Sequence, residues 1–297
     1  MFRYAAELVP FHDYDFEDSI RDLADIGFKE VNLWSSAAPL AHHVNPGEDP
    51  GAIRGLLDKY GLTPCGLTVY GKTQDEILER VDFAADLGID TLIFDCEANY
   101  ADFVSTFLPP IVEAGARRGV RIAVENHLTV PFAEDFESGA NEDKRWHDGV
   151  DTLAQMKRLI RDIDHPYLGV CIAPPHLWVM QETISEAITF LAERKRLFYY
   201  YIWDIDRAYR HGMDGLNFGP GEQQLPRADG TLDHYVMLST LRRVGYQGVA
   251  SLKCHGTGGW SFEKISKHLR ASDAYIKECM KRDELLPVLN SRQEKVR

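Results

Sequence analysis

The chain has 297 residues, with 33 Lys and Arg against 46 Asp and Glu, for a formal net charge of −13. That length exceeds one typical domain, but it suits a single α/β barrel and is ample to bury a large core. The negative charge, with Lys and Arg massed nowhere except a short mixed-sign C-terminal tail, argues against a nucleic-acid surface and predicts no nucleic-acid partner.

The chain starts MFRYAAELVPFHDYDF, with no basic segment leading into an apolar one. No apolar run is long enough to span a bilayer, so no membrane association is expected. The five cysteines, Cys65, Cys96, Cys171, Cys254 and Cys279, are odd in number and lack metal-type spacing. Four of them sit in or beside apolar strand-like runs. This usage predicts reduced thiols and a cytoplasmic protein.

In chain order, a unit of helix, glycine and strand recurs. DLADIGFKEVNLW (22–34) is the first copy, LLDKYGLTPCGLTVY (56–70) the second and FAADLGIDTLIFDC (83–96) the third. IVEAGARRGVRIAVEN (111–126) and LRRVGYQGVASLKC (241–254) follow. Each amphipathic helix stops at or near Gly, which accepts the left-handed conformation of a C-cap. A β-rich run begins at once, and such tight connections imply a parallel sheet.

Eight strands are predicted near residues 2–8, 28–34, 64–70, 90–96, 120–126, 167–172, 197–204 and 248–254. Helices fit between them, for example over 16–26, 74–87, 100–118, 152–162, 181–194 and 232–244. This predicts an α/β chain folded as a single closed (β/α)8 barrel over residues 1–281, followed by a tail, 282–297, with no assigned chemistry. An open doubly wound sheet would use fewer strands and carry a Gly-rich phosphate loop after the first. The longest loops, 128–151 and 205–231, follow strands five and seven, on the catalytic face. Phe132, Trp146, Tyr209, Arg207 and Arg210 in these loops suit a substrate wall.

Only the C-terminal rim of such a barrel is open to substrate, so polar strand ends are the candidates for chemistry. Strand one offers Glu7, strand two Asn32 and Trp34, strand three Tyr70, and strand four Asp95 and Glu97. Strand five closes RIAVENH on Glu125, Asn126 and His127, and strand six leads to His176 in CIAPPHLW. Strand seven offers Tyr201, Trp203, Asp204 and Asp206, and strand eight Lys253 and His255.

Several of these runs together resemble the xylose isomerase-like TIM barrels, a family that includes sugar phosphate isomerases/epimerases, inosose dehydratases, hydroxypyruvate isomerases and endonuclease IV-like enzymes. The resemblance covers about residues 1–280. It rests on GF-x-x-V-x-L at strand two, V-E-N-H at strand five, LGV-x-x-x-x-x-H at strand six and I-x-D at strand seven. The FGPGE loop and GYQGVASL at strand eight complete it.

Metal-dependent members hold a divalent ion with a Glu ending strand five, an Asp ending strand six, a His on strand seven and a Glu ending strand eight. In this chain those positions carry Glu125, Ala173, Tyr201 and Lys253. Ala offers no donor and an ammonium repels a dication, so no metal or other cofactor is expected at the family's position. A rearranged site would use Glu125 with His127, His176 or Asp204.

Without metal, Glu125 and Lys253 remain as the expected catalytic pair. A carboxylate can abstract the proton alpha to a carbonyl, and an ammonium can stabilise the enediolate oxygen. A lysine amine can also act as a base or form a Schiff base. Trp34, His127, His176, Tyr201, Trp203, Asp204, Arg207 and His255 are the expected substrate-binding residues. The expected function is a sugar or keto-sugar isomerase or epimerase working by proton transfer. A keto-sugar or keto-inositol dehydratase is the first alternative, and a degenerate barrel that binds a sugar or a partner without turnover is the second. The substrate would be a small carbohydrate, and the resemblance admits a homo-oligomer.

Overall fold

The computed structural model describes residues 2–36, 44–70, 73–95, 100–127, 149–208 and 219–282. Glu97, Phe132, Trp146, Tyr209, Arg210 and Cys96 lie outside the described residues, as do 283–297 of the expected tail. Eight parallel strands close into one barrel in sequence order, with β8 pairing back onto β1. They are β1 (Arg3–Glu7), β2 (Glu30–Ser36), β3 (Thr63–Tyr70), β4 (Thr91–Asp95), β5 (Arg121–Glu125), β6 (Leu168–Ile172), β7 (Leu197–Ile202) and β8 (Val249–Leu252). The predicted strands thus exist in number and order, and their ends move by a few residues.

The five repeat glycines, Gly27, Gly61, Gly88, Gly119 and Gly245, all have positive φ, between 67° and 110°. There the chain leaves a helix by a left-handed turn that a Cβ would strain, and it enters the next strand within a few residues. N-termini are fixed just as locally. Thr73 and Thr152 form capping boxes with Glu76 and Gln155, and Asp15, Asp233 and Ser261 accept from backbone N–H groups of the first turn.

Two helical features depart from the expectation. The predicted helix 100–118 is broken by a π-helical turn, Phe103–Phe107, ahead of the α-helix Leu108–Arg118. Pro109 and Pro110 lack the N–H groups that a continuous helix would need there. Gln74 Nε2 instead donates to Thr106 O at 2.9 Å and Phe107 O at 2.7 Å. A short helix, Pro174–Val179, precedes Ile184–Glu193, started by two prolines that suit a first turn. A 20-residue helix, Phe262–Lys281, closes the barrel after β8 and packs Ile265, Leu269 and Ile276 into the core. No described helix is long and apolar enough to cross a membrane. Cys65, Cys171, Cys254 and Cys279 are buried free thiols.

Candidate active site

The barrel interior is filled by polar and aromatic side chains toward its C-terminal end. Parallel register sets the layers: Tyr199 pairs with Val249 and Tyr201 with Ser251, and Glu125 pairs with both Asp95 and Cys171. The chain then leaves β7 through Trp203 and β8 through Lys253, one rung higher.

Lys253 is fully buried and Glu125 is 3% exposed. Nζ of Lys253 donates to Oε1 of Glu125 at 3.3 Å. The ammonium also lies 3.6 Å from the centroid of the Tyr201 ring, 4.8 Å from that of Trp203 and 5.1 Å from that of Trp34. Ring faces are negative, so three of them attract the charge where water does not reach it. A carboxylate and three aromatic faces therefore hold one ammonium.

Three histidines complete the rim. His176 Nε2 is 3.9 Å from Glu125 Oε1, and its ring centroid is 4.4 Å from that of His127. His127 Nδ1 in turn lies 3.7 Å from Asp95 Oδ2. His255 packs between Trp34 and Trp203, each 5.2 Å away between centroids. Burial, reinforced by the neighbouring His127 and Lys253, pushes His176 and His255 well below the usual imidazole range. Both are neutral at pH 7, so each ring offers one donor and one acceptor nitrogen. The contact of His176 with Glu125 is then polar rather than an ion pair.

Of the expected site residues, Glu125, Lys253, Trp34, Tyr201, Trp203, His127, His176 and His255 come together. Asp204 and Arg207 do not join them. The Asp204 carboxylate is fully buried but accepts from the N–H groups of Ile205 (2.8 Å), Leu232 (3.0 Å) and Thr231 (3.1 Å), and lies 3.5 Å from His234. It therefore organises the two ends of the loop after β7. Arg207 is exposed and donates to Gly230 O at 3.4 Å. Sequence spacing places both near the rim, but side-chain direction after the strand end is set by the loop.

Glu7 is the residue that the expected site lacks. It ends β1 fully buried, and Asn32 Nδ2 and Trp34 Nε1 donate to its Oε2 at 2.6 and 2.7 Å. Ser251 Oγ donates to Oε1, joined by the Tyr199 hydroxyl at 3.4 Å. Burial raises its carboxyl from 4.5 to about 7, and the Lys253 charge with these donors limits the rise. The available signal was its place at the end of an apolar strand.

The family's metal positions were tested against this geometry. Ala173 is engaged through its backbone, its N–H donating to Asn126 Oδ1 at 2.7 Å. The Tyr201 hydroxyl shares a hydrogen bond with Thr68 Oγ1 at 2.9 Å, and the Lys253 ammonium sits against Glu125 itself. A neutral phenol, a methyl group and a cation do not make a shell for a divalent ion. The donors at these positions do not fit one.

Comparison with known proteins gives the same architecture. A D-psicose 3-epimerase structure determined in the presence of D-fructose is 14% identical and superposes with a TM-score of 0.69, covering 95% of this chain and 100% of that one. An L-ribulose 3-epimerase is 13% identical, with a TM-score of 0.67 and coverage of 99% and 97%. The D-psicose 3-epimerase of Clostridium cellulolyticum H10, with D-tagatose, is 11% identical, with a TM-score of 0.68 and coverage of 95% and 100%. No curated protein matches the chain. At such identities the likeness is one of fold. The sequence model of the xylose isomerase-like TIM barrels matches residues 20–278, and with the closed eight-stranded barrel this establishes that the chain belongs to that family.

Proposed function

We propose that this protein is a sugar or keto-sugar isomerase or epimerase that works by proton transfer at Glu125, with the Lys253 ammonium in place of a metal ion. The observation that carries this is the buried pair itself. One oxygen of Glu125 meets Nζ of Lys253 at 3.3 Å, at the ends of β5 and β8, inside an aromatic enclosure.

Glu125 takes the proton from the carbon alpha to the substrate carbonyl. The C–H electron pair becomes the C=C bond of the enediolate, and the carbonyl pair moves onto oxygen. Lys253, with ammonium protons beyond the one given to Glu125, stabilises that oxygen. Return of the proton to the neighbouring carbon, while that carbon's hydroxyl proton passes to the enediolate oxygen, isomerises the sugar; epimerisation instead takes a proton delivered to the opposite face by a group other than Glu125. Neutral His176 and His255 and the faces of Trp34 and Trp203 suit hydroxyls and a sugar ring. Fold similarity to 3-epimerases supports a carbohydrate substrate.

The test is isotope exchange. The purified protein, incubated in D2O with a panel of ketoses, should place deuterium at a carbon next to the carbonyl, read by NMR, and chelator should not slow it. Failure to exchange any ketose, together with tight sugar binding, would favour the binding-only alternative. Loss of activity in chelator, restored by a divalent ion, would overturn the role given to Lys253.

A further inference from the structure

Two of the rings that face the Lys253 ammonium hang on a second carboxylate. Trp34 is tied to Glu7 directly through Nε1, at 2.7 Å. Tyr201 is tied to it through a chain: Asn32 Nδ2 donates to Glu7 Oε2 at 2.6 Å and lies 2.7 Å from Thr68 Oγ1, which meets the Tyr201 hydroxyl at 2.9 Å. Ser251, two residues before Lys253, donates to the other carboxylate oxygen. Glu7 is therefore the common anchor of β1, β2, β3, β7 and β8 beneath the ammonium.

We propose that Glu7 is the positioning residue of this site: its carboxylate fixes the Trp34 and Tyr201 rings around the Lys253 ammonium and gives that ammonium a standing counter-charge while Glu125 holds a substrate proton. The second half rests on the proton-transfer reading above. During that step Glu125 becomes a neutral acid, and a buried ammonium left with no anion nearby is costly. Glu7 does not touch the reacting carbon, and above about pH 7, where it is mostly ionised, it keeps its charge through the step.

The groups around Glu7 leave few competing charges. Tyr199 and Tyr201 from β7, Cys65 from β3 and Cys171 from β6 are all pushed upward by burial, so they are neutral near pH 7. Asn32, Trp34 and Ser251 carry no charge. The charge that acts on it is that of Lys253 from β8.

The chain has five tryptophans, so 5-fluorotryptophan gives five fluorine signals at most, and the one lost in Trp34→Phe identifies Trp34. In substrate-free wild type that signal should step with a midpoint near pH 7. Glu7→Gln should abolish the step. Lys253→Met should raise the midpoint by roughly one pH unit, because the cation that favours the carboxylate is gone. Glu125→Gln mimics the protonated base and should lower it, because the full field of Lys253 then falls on Glu7.

A Trp34 step that persists in Glu7→Gln, or midpoints unmoved in both Lys253→Met and Glu125→Gln, would overturn the proposal. A step that survives His255→Gln, which removes the imidazole packed on Trp34, and that shifts in Lys253→Met and Glu125→Gln decides it even if Glu7→Gln fails to fold. Because the titration uses no substrate, it stands apart from the exchange test. Where exchange is found, Glu7→Gln should lower kcat with little change in KM and remove any rise in rate through pH 7.

Discussion

At the scale of single residues, the proposed chemistry rests on a carboxylate and an ammonium 3.3 Å apart. If Glu125 is the base, Glu125→Gln should lower isotope exchange by about 10²–10⁴-fold, the usual cost of removing a positioned general base. Lys253→Met should cost a similar factor. The double variant should be little worse than either, since groups acting as one unit are not additive. Full exchange in both single variants would sink the assignment. Denaturant melts of the same proteins separate this from a structural role, in which stability falls while exchange per folded molecule is kept. Eight of the ten expected site residues meet in space, because a strand end on a barrel rim determines where its last side chain goes. Asp204 and Arg207 do not, because backbone N–H groups of the loop after β7 take up the Asp204 carboxylate and Arg207 turns outward to Gly230 O.

Whole elements are held together by a small number of buried contacts. The ends of the loop after β7 converge on Asp204, whose buried carboxylate satisfies three backbone N–H groups, two of them in fully buried contacts. Asp204→Ala would orphan all three, and stability measured by urea unfolding should fall by roughly 2–4 kcal/mol. Unchanged stability would show that water replaces the carboxylate. Gln224 works in the same region, its Oε1 accepting from Trp203 Nε1 and from His255 N at 3.2 Å each. In β3, Gly66 leaves space for the Glu7 network, because a Cβ there would lie 2.4 Å from Asn32 Oδ1 and 3.0 Å from Tyr199 Cε2. Gly66→Ala should cost roughly 1–3 kcal/mol by overpacking. It should also disturb the Trp34 fluorine signal, which an overpacked site remote from Glu7 would not do.

For the molecule as a whole, the buried ionisable groups make stability depend on pH in two opposed ways. Glu7 has a folded-state pKa raised from 4.5 to about 7, so its contribution is most favourable below 4.5 and is lost as pH rises to 7. That amounts to about 3 kcal/mol. His176 and His255 are depressed below 6.5, so what they contribute is present above that value and is lost as pH falls. Relative to wild type, Glu7→Gln should therefore gain stability between pH 4.5 and 7 and hold the gain above. His176→Asn should gain as pH falls below 6.5. Denaturant melts across pH 4.5–8 check both, and parallel curves for all three proteins would contradict the burial account.

The order of helix, glycine and strand is a local property, so the sequence alone determined the eight-stranded barrel, its glycine turns and the strand ends that line its C-terminal rim. Period and capping act over a few residues, and a parallel barrel is the arrangement such a repeat can close into. The π-helical turn at Phe103–Phe107 depends on two prolines and a distant Gln74. What only the tertiary structure decided is which strand-end groups share a proton or a charge. Glu7 and Ser251 lie 244 residues apart in the chain and touch because β8 closes on β1. Burial of that contact then turns an ordinary strand-end glutamate into an acid of pKa about 7, since desolvation depends on every strand around it.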